Sequence, residues 1–156
     1  MCDADADGVR TLLTAAFGRD DEARLVEHLA KGDDLAAALI AEVDDDLAGI
    51  AALSHLRSPA GALGLGPIAV AEAARHSGVG AALIEASIEW ARDNDTIGLF
   101  VLGRPRYYTR FGFSVERAAG FEHSWPSEFM LAREIGVDRL PATGELTYPP
   151  AFAALG

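Results

Sequence analysis

Cysteine occurs once in the 156 residues, at Cys2, and lysine once, at Lys31. A single thiol excludes an internal disulfide and any metal site built on several thiolates, and it fits a reducing, cytoplasmic setting. The four histidines are scattered rather than spaced as ligands, so no metal is expected. Long apolar runs are absent too. The richest, Leu35 to Val43 and Leu47 to Leu53, are strand-sized, which argues against a membrane span. The chain opens Met1-Cys2-Asp3-Ala4-Asp5, acidic where a secretory signal is basic. Positive charge is scarce: 13 Lys and Arg stand against 24 Asp and Glu, a formal charge of −11. That balance argues against nucleic acid as a partner, which needs a basic face, and is compatible with a cationic amine. Neither Gly-Lys-Ser nor Gly-Lys-Thr occurs, so there is no nucleotide-hydrolysis loop.

What is present suits one domain over residues 1–156 with a full core, since half the residues are hydrophobic. Val9, Leu12, Leu13, Ala16 and Phe17 follow helical spacing, with Asp3, Asp5 and Asp7 at the positive end of the dipole and Gly18 as terminator. A second helix is predicted from near Asp20 to Lys31-Gly32, carrying Leu25, Val26 and Leu29 inward. Strands at Ala36 to Val43 and Leu47 to Leu56 flank Asp44-Asp45-Asp46 and predict an antiparallel hairpin. Leu63 to Val70 is a third strand, with Gly66-Pro67 in its middle. Proline cannot donate to a ladder, so the pairing should break or bulge there.

An amphipathic helix follows from Gly78 to Arg92, predicted to bury Val79, Ala82, Leu83, Ala86 and Trp90, and then a strand from Ile97 to Leu102. Strand, helix and strand at this spacing read as a right-handed crossover joining a parallel pair. Phe113 to Val115 and Phe129 to Arg133 read as further strands, and Leu146 to Phe152 as an edge strand.

The turn Arg75-His76-Ser77-Gly78-Val79-Gly80 carries the chemistry. A strand emptying through glycines into a helix presents unpaired N–H groups and the positive end of the dipole, a cradle for an anion such as a pyrophosphate. Gly64-Leu65-Gly66-Pro67-Ile68-Ala69 matches a dinucleotide fingerprint in letters only, because the strand continues through it. Arg104, Arg106, Arg110 and Arg117 form a local basic patch that suits either a solvated surface or anion contact.

Leu65-Gly66-Pro67-Ile68-Ala69-Val70, then Arg75, two residues, Gly78, one residue, Gly80-Ala81, resembles the acyl-CoA signature of the GNAT superfamily of N-acetyltransferases. Tyr107-Tyr108-Thr109-Arg110-Phe111-Gly112-Phe113 and the closing Tyr148-Pro149-Pro150-Ala151-Phe152 are similar to its YhbS-like branch, and the resemblance runs from Val9 to Phe152. It implies a mixed α/β fold: a twisted mixed sheet of six to seven strands, a central parallel strand–helix–strand unit and helices on both faces. The family's first strand would precede the first helix, where only Met1-Cys2 stands, so it is expected to be short or missing.

The resemblance also implies acetyl-CoA as co-substrate and transfer to a primary amine of a small acceptor by direct attack. Backbone groups of Ile68, Ala69 and Val70 would meet the pantetheine arm. Arg75, His76, Ser77, Gly78, Val79, Gly80 and Ala81 would form the pyrophosphate turn, and Tyr108 would be the general acid. His76 and Ser77 depart from the family's usual glycine and basic residue, and the group Arg104, Arg106 and Arg110, with Arg106 as the cofactor-binding member, is expected to offset this in part. A general base is not identifiable: His55, Glu72, Glu122 and His123 qualify by chemistry and equally suit surface or structural places. Tyr107 suits core packing, and Trp125 either packing or an acceptor pocket. A non-catalytic acyl-CoA-binding regulatory module and a thioesterase are the alternatives, and dimers are common in the family, so a homodimer is compatible with it.

Overall fold

The computed structural model describes residues 3–136 and 139–154, the side chains of 3–5 and 154 excepted. Two helices, α1 (Asp3–Phe17) and α2 (Asp21–Lys31), precede β1 (Leu35–Val43), β2 (Asp46–His55) and β3 (Ala62–Val70). Then come α3 (Val79–Asp93), β4 (Gly98–Leu102), α4 (Pro105–Tyr108), α5 (Val115–Ala118), β5 (Phe121–Glu122), β6 (Met130–Glu134) and β7 (Gly144–Glu145). Among the described residues no strand precedes α1, and Met1-Cys2, where the sequence puts a short or missing first strand, lies outside them. No helix of the described residues is long and apolar enough to cross a membrane.

The main sheet has the order β1-β2-β3-β4-β6. Its single parallel pair is β3–β4, joined through α3, and all other pairs are antiparallel. The seven strands therefore divide into five in this sheet and two, β5 and β7, in a separate parallel ribbon. The β1–β2 hairpin closes on Asp44 and Asp45, whose φ of 53° and 68° place both in the left-handed region that aspartate tolerates.

Both faces of the sheet are covered. Ala51 and Leu53 of β2 join Leu83, Ile84 and Ile88 of α3 on one face. Ile50 and Ala52 alternate to the other, against Val9, Leu13 and Val26 of α1 and α2. Burial on both sides explains why β2 reads as a continuous apolar run.

Three elements differ from expectation. The buried face of α3 is Leu83, Ile84, Ser87, Ile88 and Ala91, while Ala82 and Ala86 are exposed. A buried serine rotates the stripe away from the apparent apolar one, and it is tolerated because the Ser87 hydroxyl donates to the Leu83 carbonyl at 2.7 Å. Phe113 to Val115 is not a strand. Ser114 makes one bridge to Ala132 and then caps α5, its side-chain oxygen accepting from the Arg117 N–H at 3.0 Å. The tail bridges Ser58 at Thr147 and turns into a 3-10 helix from Pro150, because Pro149-Pro150 supplies no N–H for an edge ladder.

Candidate active site

The break at Gly66-Pro67 is a bulge. Register steps from Ala51↔Ile68 to Leu53↔Leu65, which leaves one residue more on β3 than on β2. On the other edge, β3 pairs with β4 only from Ala62↔Gly98 to Leu65↔Val101. Beyond that point β3 follows β2 as far as Val70, and the two parallel strands part. Ala71 donates its N–H to the Ala48 carbonyl at 2.7 Å, on the β2 side. Two-residue alternation then turns the backbone of Ala69 toward β2 and the backbones of Ile68 and Val70 toward the opening. The buried Ala69 side chain packs on the α1–α2 face.

The opening leads into a cleft of about 350 Å³ that includes Gly66, Pro67, Ile68 and Tyr108 in its walls. Tyr108 reaches it from the end of α4, a single turn started by Pro105 at its first position, where a missing N–H costs nothing. Gly103 makes room for the ring: a Cβ there would lie 2.4 Å from Tyr108 Cε2 and 3.0 Å from Cδ2. Phe113 meets the ring edge-on at 6.0 Å between centroids, and Tyr107 does so at 5.1 Å. Burial, with a smaller contribution from Tyr107, pushes the Tyr108 phenol up to about 12. Burial raises the phenol of Tyr148, on the same cleft, in the same direction.

A second groove, about 360 Å³, lies over the N-terminus of α3. His76 and Gly78 take φ of 66° and 86°, and Gly78 starts the helix without a side-chain cap. The first intrahelical bond runs from the Ala82 N–H to the Gly78 carbonyl at 3.0 Å. The N–H groups of Val79, Gly80 and Ala81 therefore precede the first intrahelical donor. In a chain of net charge −11, the first turn of α3 holds no acid. Gly49 lets this end of the helix settle on the sheet, since a Cβ there would lie 2.8 Å from Leu83 Cδ1 and 3.1 Å from the Ala69 carbonyl.

Of the residues singled out from sequence, Val70, Arg75, His76, Gly78, Val79, Gly80 and Ala81 line this groove. Ser77 belongs to the turn, but its hydroxyl is used internally on the Ala74 carbonyl. Arg106 is exposed on α4 and lines neither the groove nor the cleft. Arg110 lines the groove instead, its guanidinium 4.4 Å from the centre of the Tyr107 ring, which also faces the groove. The signal was available: Tyr107 and Arg110 are three residues apart, one helical face. None of His55, Glu72, Glu122 or His123 lines the cleft, whereas Trp125 does. The ionisable carboxylate that does line it, Glu22, carried no motif in the sequence.

A sheet whose two central parallel strands part beside a helix N-terminus defines an acyltransferase class. Residues 6–113 match the model of the acetyltransferase (GNAT) family, and the chain belongs to that family of N-acetyltransferases. The uncharacterized N-acetyltransferase YhbS of Escherichia coli K12 is 30% identical over 126 residues, which cover 78% of this chain and 75% of YhbS. A crystal structure of Escherichia coli YhbS in complex with CoA matches with a TM-score of 0.92 at 27% identity, over 100% of this chain and 91% of that one. A GNAT family acetyltransferase from Brucella melitensis in complex with acetyl-CoA matches at 0.82 and 28% identity, over 97% and 94%.

Proposed function

We propose that this chain uses acetyl-CoA to acetylate a primary amine by direct attack, with Tyr108 as general acid. The observation that carries the reading is the succession along β3: a half-buried phenol where the strands part, a backbone edge turned to the opening, then the uncapped N-terminus of α3. The relatives solved with CoA and acetyl-CoA support the same co-substrate here. The N–H groups of Val79, Gly80 and Ala81 hold the pyrophosphate, with Arg75 and Arg110 adding charge. The pantetheine arm lies against Ile68 and Val70 as an added strand, and the thioester sits at the break beside Pro67.

The amine nitrogen attacks the thioester carbon, and the backbone N–H of Ile68 or Val70 takes up the charge on the carbonyl oxygen. The carbon–sulfur bond breaks, sulfur takes the proton of the Tyr108 hydroxyl, and the surplus amine proton leaves to water. A phenol at about 12 keeps its proton at neutral pH. An ordinary thiolate, at about 8.5, is a poor base for such a phenol, but apolar surroundings raise a thiol as they raise Tyr108.

Thiol release from acetyl-CoA, with and without primary amines, tests this. The expected result is amine-dependent release that falls by about 10²-fold or more in Tyr108→Phe with CoA affinity kept. Release without amine points to hydrolysis, and CoA binding without release to a regulatory module.

A further inference from the structure

We infer that the cleft selects primary monoamines carried on an apolar body, and that Glu22 receives them as ammonium ions, which give up one proton to water before the neutral nitrogen attacks. This rests on the transfer reading above and names the acceptor class within it. Glu22, in the first turn of α2, is 5% exposed and is the one charged residue among the buried side chains of the described residues. The other buried polar residues are Ser54, Ser87 and Thr96. A buried carboxylate needs partners. Arg19 supplies two, Nε to Oε1 at 3.0 Å and a terminal nitrogen to Oε2 at 2.7 Å. Arg19 itself is half exposed and does not line the cleft, so it grips the carboxylate from outside. Each carboxylate oxygen accepts more than one hydrogen bond, so the pair leaves capacity for a donor arriving from the cleft.

The remainder of the wall is apolar and aromatic. Phe17 and Leu102 line it although each is 41% exposed, and they are two of the four large hydrophobic residues exposed among the described side chains. Apolar area left in water at a cleft mouth is area a ligand can cover. Trp125, Tyr148 and Phe152 form an edge-to-face aromatic series on the same cleft, with centroid spacings of 6.0 and 4.9 Å. Among these lining residues there is no lysine, arginine or histidine. An acceptor carrying a carboxylate beside its amine would bury that carboxylate unpaired. A polycation would bring several charges to one acid in a space of about 350 Å³. One cationic head on one apolar body satisfies both the acid and the wall.

The probes are 2-phenylethylamine, phenylalanine, spermidine and ethylamine, read as kcat and KM of thiol release from acetyl-CoA. Phenylalanine is 2-phenylethylamine with a carboxylate added. The expected order places 2-phenylethylamine first, with kcat/KM about 10²-fold above phenylalanine, the cost of one unpaired buried charge. Glu22→Gln should raise KM for 2-phenylethylamine about 10- to 100-fold, with CoA affinity and Tm retained. Phe17→Ala, on an exposed side chain, should raise KM for 2-phenylethylamine and leave that for ethylamine unchanged. Preference for spermidine or phenylalanine overturns the acceptor class and leaves acetyl transfer standing, as does an unchanged KM in both variants. Release with none of the four amines overturns both readings.

Discussion

Replacing Gly103 with alanine should slow the reaction without removing any group that takes part in it. The added Cβ would stand 2.4 Å from Tyr108 Cε2, where ordinary contact begins at 3.4 Å, so the ring has to retreat by about 1 Å. Gly103 is not among the glycines of positive φ, so alanine fits the backbone and the effect falls on the ring. A displacement of about 1 Å at a reacting group costs up to about 10²-fold in rate. Overpacking of this kind also costs about 1–3 kcal/mol of stability, a fall of some degrees in Tm. The assay is kcat by thiol release at saturating acetyl-CoA and amine, beside calorimetric CoA affinity and a thermal melt. Lowered kcat with retained CoA affinity is the expected result. In a Tyr108→Phe background the same substitution should add little, because the proton it displaces is already gone. An unchanged kcat, or a full further loss in that background, would refute the placement of Tyr108 as proton donor.

Three further outcomes follow from named contacts. Arg110→Ala should weaken CoA binding about tenfold and flatten its salt dependence, whereas Arg106→Ala should change neither, as titrations at two ionic strengths will show. Gly49→Ala brings a Cβ within 3.1 Å of the Ala69 carbonyl, which cannot swing away, and should lower stability by about 1–3 kcal/mol in urea unfolding. An unchanged urea midpoint would mean that α3 has slack against β2. Tyr108 has its folded-state pKa raised from 10.0 to about 12. Its stabilising contribution is therefore complete below pH 10 and fades as pH climbs toward 12. In kcat, the profile should still be rising at pH 10 as the amine, ordinarily near about 10, deprotonates, with no decline below that pH. A decline below pH 10 that vanishes in Tyr108→Phe would assign that tyrosine an ordinary phenol instead.

Much of the scaffold was legible because local chemistry agreed with the final packing. The Asp44–Asp45 turn, the bulge at Gly66-Pro67 and the helix start at Gly78 each follow from what those residues do to a backbone. The face of α3 departs from its apolar periodicity where a serine enters the core, since the carbonyl that satisfies its hydroxyl leaves no mark on apolar spacing. Ser114 has strand character in sequence for a related reason: it is both a bridge partner of Ala132 and a helix cap. The choice between Arg106 and Arg110 turned on which of two neighbouring arginines lies over the Tyr107 ring.

The sequence by itself determined the family, the parallel β3–α3–β4 unit and the helix start at Gly78, and it offered the turn before α3 and Tyr108 as candidates. Each follows from residue types and spacings read along the chain, which dictate the local backbone or carry the resemblance. The tertiary structure alone decided which residues line the cleft. Glu22 and Phe17 come from the first two helices, Tyr108 from the turn after β4, and Tyr148 and Phe152 from the tail. No local pattern joins them, because they meet only when both faces of the sheet have been covered and β3 and β4 have parted.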